Sequence, residues 1–325
     1  MPTKKPKSSV RAKAGHNSLE LILPATSANL GPGFDAAALA FDLDLKLRAR
    51  PAKEFSITAS GRDATICSAL DNHLILTTYR EVLESEGKFV TPLALDIANE
   101  IPIGKGCGSS AAARLAGIAL AVHFGKLRWN DSRIVGEASR REHHPDNAAA
   151  CWLGGVVVAR MSEDAHAQVA QISPRGIWQL LVAVPEESLS TQEARGVLPA
   201  QYSRADTVTN IQNSMLLVAA FAQGRHDLLD SALQDRVHQP YRALLCPLLP
   251  ALQKLTGSVG VLGVALSGAG PSVLVFLDPR ASERKVRDSV RQHLARHGLS
   301  AELLSTRIAL KGARDGRDWK RLHPH

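Results

Sequence analysis

An α+β fold in two domains is what this chain of 325 residues predicts. Three features of the sequence lead there. Apolar–polar alternation, the mark of half-buried strands, interleaves with three-to-four spacing, the mark of helices. From residue 178 onward the elements read β-α-β-β-α-β, a split-βαβ or ferredoxin-like order. Between the halves, residues 162–168 are polar and place a boundary near 161–175. The expected organisation is a disordered basic tail at 1–16, an N-terminal domain over 17–170 and a C-terminal domain over 171–325.

The elements follow in order. Residues 19–23 read as a short strand, and 24–35 (PATSANLGPGFD) as a Gly/Pro loop. Residues 36–50 are apolar and then alternate, with Leu43, Leu45 and Leu47 against Asp44, Lys46 and Arg48, which predicts a half-buried strand. Residues 55–58 predict another. A helical pattern over 70–86 stops before Gly87. Leu93, Leu95 and Ile97 alternate into a glycine-rich loop, and an Ala-rich helix follows to about residue 124. A helix is expected over 132–141, a loop over 143–155 and a strand over 156–159. In the second half, strands are expected at 178–184, 261–266, 272–277 and 303–308. Helices are expected within 207–255 and over 282–297, and a turn at 267–271.

Composition narrows the function. No apolar run reaches the roughly 18 residues that a membrane span needs. The basic N-terminus has no apolar segment behind it and does not read as a secretory signal, so a cytoplasmic protein is expected. The four cysteines are widely spaced and lack any metal-ligand pattern, so neither a disulfide framework nor a zinc site is indicated. The net charge of +8 raises nucleic acid as a partner. Its location argues against that. Lys4, Lys5, Lys7, Arg11 and Lys13 at one end, and the basic run at 311–321 at the other, account for the whole excess. A nucleic-acid binder carries its basic surface on the folded domain. Neither nucleic acid nor membrane is expected as a partner.

The glycine-rich loop carries chemistry. Phosphate binding needs several backbone N–H groups aimed at one point, close approach and a helix N-terminus behind. Residues 104–111 (GKGCGSSA) follow a strand and open a helix, and Ser109 and Ser110 can cap that helix or ligate a metal. No Gly-Lys-Ser/Thr closes the loop, so it is not a Walker loop. The third glycine of the dinucleotide fingerprint is also missing.

Residues 102–112 resemble the central ATP-binding motif of the GHMP kinases, with Cys107 where Leu is usual. Residues 26–40 and 266–276 resemble that superfamily's first and third motifs, so the resemblance spans roughly 19–315. It implies a ribosomal-protein-S5-like N-terminal domain and a ferredoxin-like C-terminal domain. ATP would be the co-substrate and Mg2+ the metal. The implied ATP-binding residues are Pro102, Ile103, Gly104, Lys105, Gly106, Cys107, Gly108, Ser109, Ser110, Ala111 and Ala112, with Gly268 and Gly270. Ser110 and Glu137 would hold Mg2+, with Glu142 a possible substitute for Glu137.

Within the superfamily, four segments look like the homoserine kinases. Residues 26–35 match their first motif, which places Asn29 and Asp35 against an amino acid. Residues 143–155 match their His-x-Asp-Asn run, which adds His144 and Asn147. Residues 190–206 and 240–247 match two further signatures, putting Arg195 and Arg242 on the substrate carboxylate. Gln239 stands where that pattern has Glu. The implied activity is ATP-dependent phosphorylation of the L-homoserine hydroxyl, in threonine biosynthesis. The resemblance makes Asn147 the catalytic residue, with no protein general base and Asp146 a supporting loop residue. A homodimer is expected. The alternatives are another small hydroxy amino acid such as threonine, or a nucleic-acid-binding protein of related fold.

Overall fold

A computed structural model describes residues 18–162, 166–258 and 260–315. The tail at 1–16 and the end of the basic C-terminal run lie outside them. The N-terminal half runs β1 (Leu19–Asn29), β2 (Gly33–Pro51), β3 (Ser56–Gly61), α1 (Ala64–Ser68), α2 (Leu74–Ser85), β4 (Leu93–Asn99), α3 (Ser109–Phe124), α4 (Asp131–Glu142), α5 (Asp146–Leu153), β5 (Val156–Met161) and β6 (Ala167–Ile172). The C-terminal half runs β7 (Gln179–Val184), α6 (Thr191–Gly196), α7 (Arg204–Gln223), α8 (Leu229–Ala232), α9 (Gln239–Arg242), α10 (Leu248–Gln253), β8 (Val261–Leu266), β9 (Val273–Leu277), α11 (Glu283–Arg296), β10 (Glu302–Arg307) and β11 (Arg314–Asp315).

Among the described residues there are two sheets. The first has the order β11-β1-β2-β4-β3, with β5 joined to β2 and β6 to β5. The long strand β2 holds it together. It pairs with β1 along most of its length, with β5 through residues 37–39 and with β4 through residues 45–51. The second sheet has the order β10-β7-β9-β8, all antiparallel. That is the ferredoxin-like order expected from the element sequence. The N- and C-terminal halves are both mixed α+β.

Three expectations need correction. Residues 24–29 are strand, not loop. Pro24 is accommodated because the β1–β2 register shifts beside it, where a missing N–H costs no ladder bond. Residues 146–153 form α5, although they were expected to be loop. The run Ala148–Ala149–Ala150–Cys151–Trp152 is buried and packs against β1 and β2. The expected boundary at residue 170 falls inside β6, which completes a hairpin with β5. The chain also returns to the first sheet at β11.

Packing explains why β7 and β9 read as unbroken apolar runs. Leu180, Val182, Leu274 and Phe276 join a core shared with the first sheet and α7. Their alternates Leu181, Ala183, Val273 and Val275 face α10 and α11. A sheet covered on both faces loses the period-two signal. Helix α3 is buried almost all round, as its unbroken Ala-rich composition demands. No helix among the described residues is long and apolar enough to cross a membrane.

Candidate active site

The glycine-rich loop joins β4 to α3, and its backbone is held by the other two motif segments. Thr26 N–H donates to the Cys107 carbonyl at 3.1 Å, and Ser272 N–H to the Lys105 carbonyl at 3.2 Å. Ser267 Oγ donates to the Gly106 carbonyl at 2.8 Å. Gly268 N–H reaches the Ala28 carbonyl at 3.1 Å, and Asn29 Nδ2 reaches the Gly268 carbonyl at 2.6 Å. Two glycines are obligatory here. Both Gly106 and Gly108 have positive φ, at 78° and 74°. A Cβ on Gly106 would lie 2.2 Å from the Ser267 carbonyl oxygen, and one on Gly108 1.9 Å from Thr26 Oγ1. Gly108 is the N-cap of α3, and no side chain caps that helix end. Of the two roles open to Ser109 and Ser110, capping this helix is not realised. Cys107 points inward and is fully buried. Burial pushes its thiol up to about 12, so it fills the usual Leu position as a small inert apolar group.

Ser110 does not meet Glu137. Its hydroxyl donates to Glu142 Oε1 at 2.7 Å, beside an Arg114 contact to the same oxygen at 2.5 Å. Glu137 is held by Arg140 and Arg141. Burial opposes its charge, but the hydrogen bonds and charges of those arginines outweigh it and hold its carboxyl below the usual range. At 3.6 residues per turn the five-residue separation puts the two on different faces of α4: Glu137 faces its own helix neighbours, whereas Glu142 ends the helix and meets Ser110. Two oxygen donors of this kind suit Mg2+, which takes few protein ligands and keeps its waters.

The far end of the cleft is built from side chains. Asn29 and Asp35 both have positive φ, and the Asp35 N–H donates to Asn29 Oδ1 at 3.0 Å. Arg195 Nη2 donates to both Asp35 oxygens, at 2.7 and 2.9 Å. Arg195 lies at the end of α6, whose start is fixed by a capping box between Ser190 and Glu193. The Ser-Thr-x-Glu-Ala-Arg run thus has a local reason: the box sets where the helix starts and hence where its arginine points. Arg242 lies on α9 and is buried, donating from Nε to the Ala194 carbonyl at 2.9 Å. Burial, and then the nearby Arg195 charge, lower its proton affinity.

His144, Asp146 and Asn147 enter from the start of α5. Asp146 is buried, and its Oδ1 accepts from His144 Nδ1 at 2.7 Å and from the Asn147 N–H at 2.6 Å. Burial opposes protonation of His144, but the Asp146 hydrogen bond and charge, with Asp35 and Glu142, raise its pKa overall. Asn147 Oδ1 accepts from Thr26 Oγ1 at 2.7 Å. Asp35, His144 and Asp146 converge within 4.8 Å of one another. With Arg195 and His144 already on these carboxylates, they form an ion-paired cluster.

These residues line one cleft of about 680 Å³: Asn29, Asp35, His144, Asn147, Arg195 and Arg242 with Gly104, Gly106, Gly108, Ser109, Ser110, Gly268 and Gly270. Glu142 and Asp146 line it too, and Glu137 does not. A second, largely apolar cavity shares Gly104, Ser109 and Ser110 with the first. Its walls include Ile66, Leu74, Ile101 and Ile103. The sequence reading missed the Thr65–Ile75 side of this cavity. Ile66 on this side is a large apolar side chain left exposed.

Comparison with known proteins gives the family. The family models described as GHMP kinases N terminal domain and GHMP kinases C terminal match residues 73–155 and 217–296. A homoserine kinase of Solibacter usitatus is 42% identical over 92% of this chain and 97% of its own. One from Deinococcus radiodurans is 37% identical over 89% and 94%. The crystal structure of a Cytophaga hutchinsonii homoserine kinase superposes with a TM-score of 0.78 at 22% identity, covering 94% of this chain and 99% of that one, and so shares the fold. The chain belongs to the homoserine kinases of the GHMP kinase superfamily.

Proposed function

We propose that this protein transfers the γ-phosphoryl group of ATP to the side-chain hydroxyl of L-homoserine, in the cytoplasm, as a step of threonine biosynthesis. The observation that carries this is the composition of the one cleft. One wall is N–H-rich backbone at a helix N-terminus, and the other presents two guanidiniums and a carboxylate. A triphosphate suits the first and an amino acid head group the second. The adjoining apolar cavity would take the nucleoside.

In this reading, residues 104–110 bind the phosphates. Ser110 and Glu142 would hold Mg2+, which would offset the negative charge of the phosphates. Arg195 and Arg242 bind the substrate carboxylate and Asp35 its ammonium, with Asn29 and His144 completing the pocket. Arg195 then exchanges part of its contact with Asp35 for the substrate. Asn147 orients the attacking hydroxyl. An amide cannot take its proton, and a loose transition state depends chiefly on positioning and charge. Asp146 supports His144 and Asn147 through Oδ1, and the proton leaves through phosphate or water.

The test is ATP consumption with L-homoserine, L-threonine and 3-aminopropan-1-ol, the product followed by phosphorus NMR. Homoserine is expected to be preferred over both, with a phosphomonoester on its hydroxyl. Equal turnover of the amino alcohol, which lacks the carboxylate, would refute the arginine assignment. Equal turnover of threonine would refute the substrate.

A further inference from the structure

Arg242 is 1% exposed, and no carboxylate pairs with it among the described residues. Its donors meet neutral acceptors instead: the Ala194 carbonyl at 2.9 Å, the Gly268 carbonyl at 3.4 Å and His238 Nδ1 at 3.3 Å. Gln239, where the family pattern has Glu, offers no charge. Its Oε1 accepts from the Leu266 N–H, and its Nε2 donates to the Leu233 carbonyl.

His238 is wholly buried, and its surroundings fix its chemical form. Its Nε2 lies 2.8 Å from the Gly31 carbonyl oxygen and 3.5 Å from Asp235 Oδ2. A carbonyl only accepts, so Nε2 carries a hydrogen. A guanidinium only donates, so Nδ1 is bare. The two partners therefore select one neutral tautomer. Phe34, which lines the cleft, stacks on this ring at 5.3 Å and lies within 5.4 Å of both the Arg195 and Arg242 guanidinium carbons. The faces of a ring attract cations at this range.

We infer that His238 is a positioning residue for substrate recognition: its Nε2–H tautomer, pinned by Gly31, aims the Arg242 guanidinium into the cleft without neutralising it. The physical point is charge economy. A carboxylate in place of Nδ1 would hold Arg242 equally well, but it would compete with the substrate carboxylate. A neutral acceptor fixes direction and leaves the full positive charge for the substrate. The inference rests on the reading of Arg242 as half of the carboxylate clamp.

Two amide variants separate the ring's two nitrogens. The Asn amide oxygen of His238→Asn can stand at the Nδ1 position and still accept from Arg242. The longer side chain of His238→Gln reaches the Nε2 position and serves Gly31 instead. For His238→Gln the KM for homoserine should rise about tenfold, the scale of one charged hydrogen bond. Its kcat, KM for ATP and efficiency with 3-aminopropan-1-ol should stay near wild type. His238→Asn should keep most of the wild-type KM. Equal KM in the two variants, or a parallel loss on 3-aminopropan-1-ol, overturns the inference. Arg242→Met is the control. If it leaves the preference for homoserine over the amino alcohol intact, the clamp reading falls and takes the inference with it. If it abolishes that preference while His238→Gln leaves it at the wild-type value, only the inference falls. Nitrogen-15 NMR of the wild-type imidazoles needs no variant. A buried histidine with protonated Nε2 and bare Nδ1 is expected, and a spectrum without one overturns the assignment.

Discussion

At one end the cleft is lined chiefly by the backbone of a single stretch, residues 104–110. At the other end it is lined by side chains delivered by β1, β2, the α4–α5 turn, α6 and α9. The first end depends on conformation, because Gly106 and Gly108 hold φ values that an L side chain resists. The second depends on pairing: Asp35 with Arg195, Asp146 with His144, and Arg242 with neutral acceptors. A backbone site should fail all at once when its fold is disturbed. A side-chain site should fail in graded, separable ways.

Gly106→Ala is the sharpest way to break the first end. The added Cβ meets backbone oxygens of the Ser267–Gly270 turn, which cannot rotate away. A loss of about 3 kcal/mol or more is expected, with ATP binding lost alongside. Thermal unfolding and nucleotide titration measure both. A stable Gly106→Ala protein with normal ATP affinity would show that the loop need not be held as described.

Asn147→Leu comes next and acts where the two ends meet. It should lower kcat by about 100-fold or more while ATP affinity is retained. Asp146→Asn should lose much less. A pH–rate profile whose acidic limb vanishes in Asp146→Asn, with kcat collapsed, would show a carboxylate base at work.

The arginines divide by burial. Arg195→Met and Arg242→Met should each cost about 2–4 kcal/mol in kcat/KM for homoserine, roughly 30- to 1000-fold. Stability should separate them. Replacing the buried, uncompensated Arg242 by an apolar side chain is expected to leave the melting temperature unchanged or higher, whereas Arg195→Met leaves Asp35 without its partner. Steady-state kinetics and calorimetry on the same samples test this.

Smaller effects sharpen the metal and pH assignments. Glu142→Gln and Ser110→Ala should each raise the Mg2+ concentration needed for half-maximal rate, and Glu137→Gln should not. A Glu137→Gln shift larger than that of Glu142→Gln would restore the expectation from sequence. His144 has its folded pKa raised, so its contribution to stability is fully present below the ordinary imidazole value of about 6.5 and is lost as pH rises through the higher folded value. The melting-temperature gap between wild type and His144→Gln should therefore be widest in mild acid and close as pH rises. A gap that widens with pH would mean that His144 is held neutral.

Much of this was legible in the chain itself. Strands with one solvated face, such as β4, announced themselves by alternation, and the glycine spacing of residues 104–108 announced a loop that allows close backbone approach. Residues 24–29 were misread because Pro and Ser look like loop until the bulge beside Pro24 is known. Helix α5 was misread because its signal is burial, not periodicity: Ala148 to Trp152 are apolar on every side. The choice between Glu137 and Glu142 could not be made from spacing, since both lie in one helix and only the packing of α4 beside α3 decides which reaches Ser110.

By itself the sequence determined most of the elements, the loop that suits phosphate, and the residue types that suit an amino acid, because propensity, glycine conformation and charge are local properties. Only the tertiary structure decided which groups meet. It paired Asp35 with Arg195, gave Ser110 to Glu142, and left Arg242 buried with a neutral histidine at its side. Those outcomes depend on directions and distances between segments far apart in the chain, set by how β2 joins its neighbours and how α6 and α9 pack over the cleft, and no local pattern encodes them.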